Sequence, residues 1–253
     1  MRKIIIDTDA GSDDAVALIM ALREPSIQVL AVTTVAGNVE VSQATQNALL
    51  TIARAESYQP PVFQGMHKPL VCDLQTAPEV HGRDGMGDLG FSAPAQQAQP
   101  EHAVDAIARL VGSGAGDIEL LTLGPLTNIA YAMLQFPDVM RKLPRLTIMG
   151  GAHFYTNPHT ASAEFNILVD PEAAHIVFGF GIPITLVTLE ACRVDQAVLT
   201  TAEIARLRSS GALGAFCVDC NRTVADALEA ARGTATLELP DAAAFAVLAR
   251  PEL

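Results

Sequence analysis

Short apolar runs rich in β-branched residues recur along this chain at 3–7, 27–34, 61–64, 118–123, 145–149 and 183–188. Longer stretches with a helical spacing of apolar positions separate them, at 13–23, 41–55, 102–111, 126–136, 172–178, 201–208 and roughly 213–231. This alternation is the strongest constraint on the fold. A strand that is apolar on both faces needs cover on both, and a helix between successive strands supplies it by running them parallel. The expected fold is therefore α/β: an open, mostly parallel, doubly wound sheet with helices on both faces, in a single domain spanning 1–253. The stretch 66–100, dense in Gly, Pro and Gln, is the one long loop expected. In such a sheet ligands bind beyond the carboxyl ends of the strands, so polar clusters at those ends carry the most functional weight.

Composition narrows the partners. Half of the residues are hydrophobic and 17% are charged, which suits a large buried core rather than disorder. Sixteen basic against twenty-eight acidic residues leave a net charge of −12. That balance argues against a nucleic-acid polymer or an anionic membrane, and leaves room for a small molecule without phosphate. No apolar run approaches the roughly 20 residues that span a bilayer. The start, Met1 to Asp7, meets a carboxylate too early for a secretory signal, and four cysteines form no disulfide framework. A cytoplasmic location with reduced thiols is the expectation. Cys217-x-x-Cys220 has no second pair, so inert thiols are expected there rather than a metal knuckle.

The first strand ends in Asp7-Thr8-Asp9-Ala10-Gly11-Ser12-Asp13-Asp14, four carboxylates in eight residues. Asp7 and Asp9 should share a strand face, while Asp13 and Asp14 fall in the first helical turn, where the dipole favours negative charge. Four crowded carboxylates repel one another unless a cation sits among them. Hard oxygens with no adjacent His or Cys select Ca²⁺ or Mg²⁺ over zinc.

This block resembles the signature of the calcium-dependent nucleoside hydrolases, usually written D-x-D-P-G-x-D-D-A. The likeness continues through Thr33 to Asn38, Val80 to Gly87, Leu123 to Ala130, Met149 to Ala152, Ala163 to Asn166 and Asp170 to Ala174, in family order. The resemblance implies hydrolysis of the N-glycosidic bond of ribonucleosides to free base and ribose, in nucleoside salvage, by a dimer or tetramer. It assigns Ca²⁺ to Asp9 and Asp14 through side chains, Leu123 through its carbonyl and Asp241 from the far end of the chain, with Asp9 also the general base. Asp13, Asn38, Glu164 and Asn166 are assigned to the sugar hydroxyls, Met149 to the apolar side of the ribose, and Asn157 to the 5′-hydroxyl. On the residues alone Asn38 after a Gly is more often a turn residue, Glu164 and Asn166 could be a surface strand edge, and Asp241 could be an ordinary first-turn helix residue.

Three departures from the family pattern matter. Ala10 stands where Pro is usual, which should remove only some loop stiffness. Pro240 stands where many members carry a His that acts as acid toward the departing base, which leaves His81, in the substrate pocket, and His153 as candidates. The family continues for several elements past the counterpart of 241–253, so the usual C-terminal elements are expected to be lacking. Two other readings compete: a nucleoside- or ribose-binding relative that cleaves weakly, and a phosphatase of the haloacid-dehalogenase type, which also begins strand-Asp-x-Asp. The latter's loop continues Gly-Thr, which Ala10-Gly11 does not match.

Overall fold

The structure, a computed structural model, describes residues 1–92, 94–153 and 163–252, with only the backbone of 231–232. Six strands, β1 (Arg2–Thr8), β2 (Ile27–Thr34), β3 (Val62–Gln64), β4 (Ile118–Thr122), β5 (Leu146–Met149) and β6 (Ile184–Val187), form one sheet in the order β3-β2-β1-β4-β5-β6. Every pairing in it is parallel. The order reverses between β1 and β4, and this switch point is where an open sheet leaves a crevice at its carboxyl end.

Burial on both faces follows from the β1 sequence. Ile4 and Ile6 point into one apolar cluster and Ile5 into the other, all three fully buried. The first cluster is closed by α1 (Ser12–Arg23) and α2 (Val41–Arg54). After α3 (Pro78–His81), the second cluster is closed by α4 (Ala103–Ser113), α5 (Thr127–Gln135), α6 (Pro137–Met140) and, beyond α7 (Phe165–Val169), α8 (Pro171–Gly179). The chain continues through α9 (Thr201–Ser209), α10 (Ala212–Asp219), α11 (Arg222–Arg232) and α12 (Pro240–Ala249). The last of these returns to pack on α1 in the first cluster. A small antiparallel pair, β7 (Val198–Thr200) with β8 (Thr236–Glu238), lies apart from the main sheet.

The doubly wound expectation holds; the short elements α6, α7, β7 and β8 are additions to the expected set, and three further local differences have a clear cause. The helix expected over 213–231 is two helices, because Asn221 turns its amide back to donate to Cys217 O and to Ser12 O, 2.9 Å each. The long loop carries a helical turn, α3, begun by Pro78 at its first position. The third is α12, whose sequence after Asp241 is apolar on every side and so shows no amphipathic period; its buried residues include Ala244, Phe245 and Leu248. Among the described residues no helix is long and apolar enough to cross a membrane.

Candidate active site

Strand β1 ends at Thr8, and Asp9-Ala10-Gly11 turns the chain into α1. Ala10 has φ 46°, a value the proline ring cannot reach, so the change from the usual Pro is more than a loss of stiffness. The turn is held by the carboxylate it delivers: Asp14 accepts from Gly11 N at 2.8 Å and from the Thr8 hydroxyl. Asp9 accepts from Asn38 N at 2.7 Å and from Asn38 Nδ2 at 3.2 Å. Two glycines let Asp9 sit so deep. A Cβ on Gly37 would overlap Asp9 Oδ2, and one on Gly124 would lie 2.9 Å from Asp9 Cγ. Gly37→Ala is therefore expected to displace Asp9 and remove nearly all activity while costing about 1–3 kcal/mol of stability, as overpacking does. Normal kcat in that variant would show that Asp9 has no role in the reaction.

Asp241 arrives on the first turn of α12. Oxygens of Asp13, Asp14 and Asp241, all buried, lie within 4.8 Å of one another. Among the described residues no Lys or Arg pairs with them; the neighbour of opposite potential is His81, 3.7 Å from Asp13. Burial first, then repulsion by neighbouring carboxylates, pushes Asp9, Asp14 and Asp241 up. Asp14 reaches about 7, Asp9 and Asp241 rise well above the usual carboxylate range, and the Asp241 carboxyl donates a hydrogen bond to Asp14. Asp7 belongs elsewhere. Its Oδ1 takes Thr33 Oγ1 and Asn128 Nδ2, burial raises it to about 7, and it braces β2 and α5 rather than joining the cluster.

The other residues singled out in the sequence converge on the same crevice. A cavity of about 210 Å³ is lined by Asp13, Asn38, His81, Leu123, Met149, Glu164, Asn166 and Asp241, and also by Glu79, Arg193, Glu238 and Pro240. Asn166 and Glu164 are no surface strand edge; both are buried. Glu164 caps α7, accepting from Asn166 N, Ile167 N and Gly151 N. Asn166 Nδ2 donates to Leu123 O at 2.9 Å and Met149 O at 3.2 Å, so it fixes the carbonyl assigned to the metal. His81 Nδ1 accepts from Ser12 N at 3.3 Å and contacts Ser12 Oγ at 2.9 Å, which leaves the ring proton on Nε2; burial lowers its pKa. His153 does not line the cavity. Asn157 lies outside the described residues. A wider groove of about 1180 Å³ between α1, α10 and α12 is mostly aliphatic, with Val16, Ile19, Leu213 and Val247 in its wall. The four cysteines are free, and burial pushes Cys192 to about 12 and Cys217 to about 11, as expected of inert thiols.

Sequence reasoning missed the ion pair of Arg193 with Glu238, which are 45 positions apart and carry no local motif. It also missed the steric duty of Gly37 and Gly124, which shows only once Asp9 is seen between them.

Comparison with known proteins agrees with this geometry. The pattern of the inosine-uridine preferring nucleoside hydrolase family matches residues 4–253. The chain is 40% identical over 210 residues to the pyrimidine-specific ribonucleoside hydrolase RihB of Escherichia coli (strain SE11), covering 83% of this chain and 66% of that one. It is 36% identical to the probable uridine nucleosidase 1 of Oryza sativa subsp. japonica, over 99% of this chain and 77% of that one. Among solved structures, a plant nucleoside hydrolase superposes with a TM-score of 0.93 at 33% identity, covering 100% of this chain and 80% of the other. A purine-preferring ribonucleoside hydrolase from Gardnerella vaginalis gives 0.92 at 30% identity, covering 100% and 81%. The chain thus spans about two thirds of the length of the bacterial relative and about four fifths of the two solved structures. With the sequence blocks, the switch-point crevice and these matches in agreement, the chain belongs to the inosine-uridine preferring nucleoside hydrolase family.

Proposed function

We propose that this chain hydrolyses the N-glycosidic bond of ribonucleosides, releasing free base and ribose, with Ca²⁺ as cofactor and Asp9 as general base. The observation that supports this most directly is the buried group of Asp13, Asp14 and Asp241, with Asp9 close enough to feel the charges of Asp13 and Asp14 and no Lys or Arg paired to any of them among the described residues. Such a set is costly to keep ionised alone and fits a hard divalent cation. Asp14, Asp241, Asp9 and the Leu123 carbonyl would hold it, with Asp13 at the same cluster turned toward the sugar hydroxyls. Bound Ca²⁺ supplies charge neutralisation and Lewis acidity toward water.

The protein's own part is orientation and proton transfer. Asn38 and Asn166 fix Asp9 and the Leu123 carbonyl, and Met149 gives the ribose an apolar wall. Asp9, once ionised, takes the proton of the attacking water. Cleavage passes through an oxocarbenium-like ribose, whose positive charge the surrounding carboxylates favour. Incubation with inosine or uridine should yield base and reducing sugar in equal amounts. Phosphate release from a phosphomonoester instead would favour the haloacid-dehalogenase reading, and tight nucleoside binding without turnover would favour the binding-protein reading. Dimeric or tetrameric assembly and a cytoplasmic role in nucleoside salvage go with this proposal; light scattering reads the assembly.

A pH effect follows from the buried carboxyls. Their pKa values are higher folded than unfolded, so the folded chain binds more protons and metal-free stability falls as pH rises from about 4 through 7. Each pH step of 1 in that window costs about 1.4 kcal/mol per such group. Chelator-treated protein should melt lower at pH 8 than at pH 5, and added Ca²⁺ should raise melting most at pH 8. A melting temperature that is flat with pH in the chelated protein would show the cluster to be solvated.

Asn166→Ala should lower kcat/KM far more than stability. Two buried carbonyls lose a donor, costing about 1–3 kcal/mol, while the metal's carbonyl ligand and a sugar contact are lost together. A melting collapse with normal activity per folded molecule would make Asn166 purely structural.

A further inference from the structure

Heterolysis of a glycosidic bond separates charge, positive on the ribose and negative on the departing base. Of the carboxylates lining the cavity, Asp13, Glu164 and Asp241, with Asp14 and Asp9 beside them, suit the positive end. The negative end lacks its usual partner, because Pro240 has no side-chain proton to give and, being proline, no backbone N–H either. Among the described residues lining the cavity, the one arginine or lysine is Arg193. It stands in the 3-10 turn after β6, and its Nε donates to Glu238 Oε2 at 2.8 Å. Glu238 is 5% exposed on its side chain and lies two residues before Pro240 in sequence. The guanidinium itself keeps 37% side-chain exposure at the cavity wall. A buried carboxylate thus anchors a planar cation in the wall of the cavity that Pro240 also lines, and a guanidinium stays charged across the working pH range.

Given the nucleoside-hydrolase reading, on which this step rests, we propose that Arg193 binds the departing base and stabilises its negative charge, with Glu238 as the residue that positions it. The C1′–N bond breaks with its electron pair left on the base nitrogen. The water oxygen bonds to C1′ and gives its proton to Asp9. The base, held by the guanidinium as an anion, takes its proton from solvent as it leaves, and Asp9 returns its own proton to solvent. Arg193 donates hydrogen bonds and charge but transfers no proton. Its natural contacts are the carbonyl oxygen or ring nitrogen acceptors that every nucleobase carries beside the glycosidic nitrogen.

The test compares uridine and inosine with p-nitrophenyl riboside, whose leaving group is stable as an anion, on the Ca²⁺-loaded protein. Arg193→Gln should lower kcat/KM for the two nucleosides on the order of 10²–10³-fold, and for the activated riboside by roughly threefold or less. The loss should fall on kcat and be partly restored in Arg193→Lys. The shape of the pH profile should stay that of the parent, because no titrating acid has been removed. Glu238→Gln should give a smaller loss with the same substrate pattern. The double variant R193Q/E238Q removes both charges of the pair and serves if the single variant does not fold. Equal losses on all three substrates, or none, would overturn the role of Arg193. Loss of the alkaline limb in His81→Ala together with an unaffected Arg193→Gln would assign the task to His81 instead. A parent that cleaves neither kind of riboside would bring down the hydrolase reading itself, and this role with it.

Discussion

Asp14→Ala is expected to abolish tight Ca²⁺ binding and to lower kcat/KM for ribonucleosides by on the order of 10³ or more. Its oxygens sit with those of Asp13 and Asp241, and one of them also holds Gly11 N, so the residue links the metal site to the turn that presents Asp9. The stability outcome separates this from simple misfolding. Removing the side chain deletes a cap, worth about 1 kcal/mol. It also removes a carboxyl that burial holds at about 7, which relieves repulsion at pH 8. Metal-free Asp14→Ala should therefore melt close to the metal-free parent, and Ca²⁺ should no longer raise its melting. The parent should bind about one Ca²⁺ per chain by calorimetry. A variant that binds Ca²⁺ as tightly as the parent would place the metal elsewhere.

The second large effect concerns the leaving group. With Pro240 where an acid is usual, nucleosides whose base leaves poorly should be cleaved far more slowly than p-nitrophenyl riboside. A lost general acid typically costs on the order of 10²–10⁴ in rate, and Arg193 would recover part of it. Pro240→His should narrow the gap. The position is the first residue of α12, where a side chain can enter the cavity and the helix loses no internal hydrogen bond by the change. Comparable rates on inosine and the activated riboside, unchanged by either Pro240→His or Arg193→Gln, would mean that no side chain is needed to assist departure of the base.

Much of the fold was legible because its signals are local. Ile4, Ile5 and Ile6 in one run announce a strand buried on both faces, and Asp170-Pro171 announces a helix start. The signals failed where tertiary contacts decide. Asn221 breaks a helix whose pattern runs on, by bonding Ser12 across the molecule, and α12 hides its helicity in an unbroken apolar stretch. The site divides in the same way. The acidic block at 7–14 could be seen as a metal site from its crowding, yet counting could not show that Asp7 turns away to Thr33 and Asn128 while Asp241 joins the cluster. Only the family resemblance pointed to Asp241, 227 positions after Asp14, and nothing local pointed to Arg193 with Glu238.

Calcium-dependent cleavage of ribonucleosides is read out by the release of ribose. Chelator-treated protein is incubated with inosine or uridine, with reducing sugar followed over time, and Ca²⁺ is then restored. The expected result is negligible release without metal, recovery on adding Ca²⁺, one free base per ribose, and no recovery in Asp14→Ala. Release that continues at the same rate in excess chelator, or that never begins with Ca²⁺ bound, would contradict it.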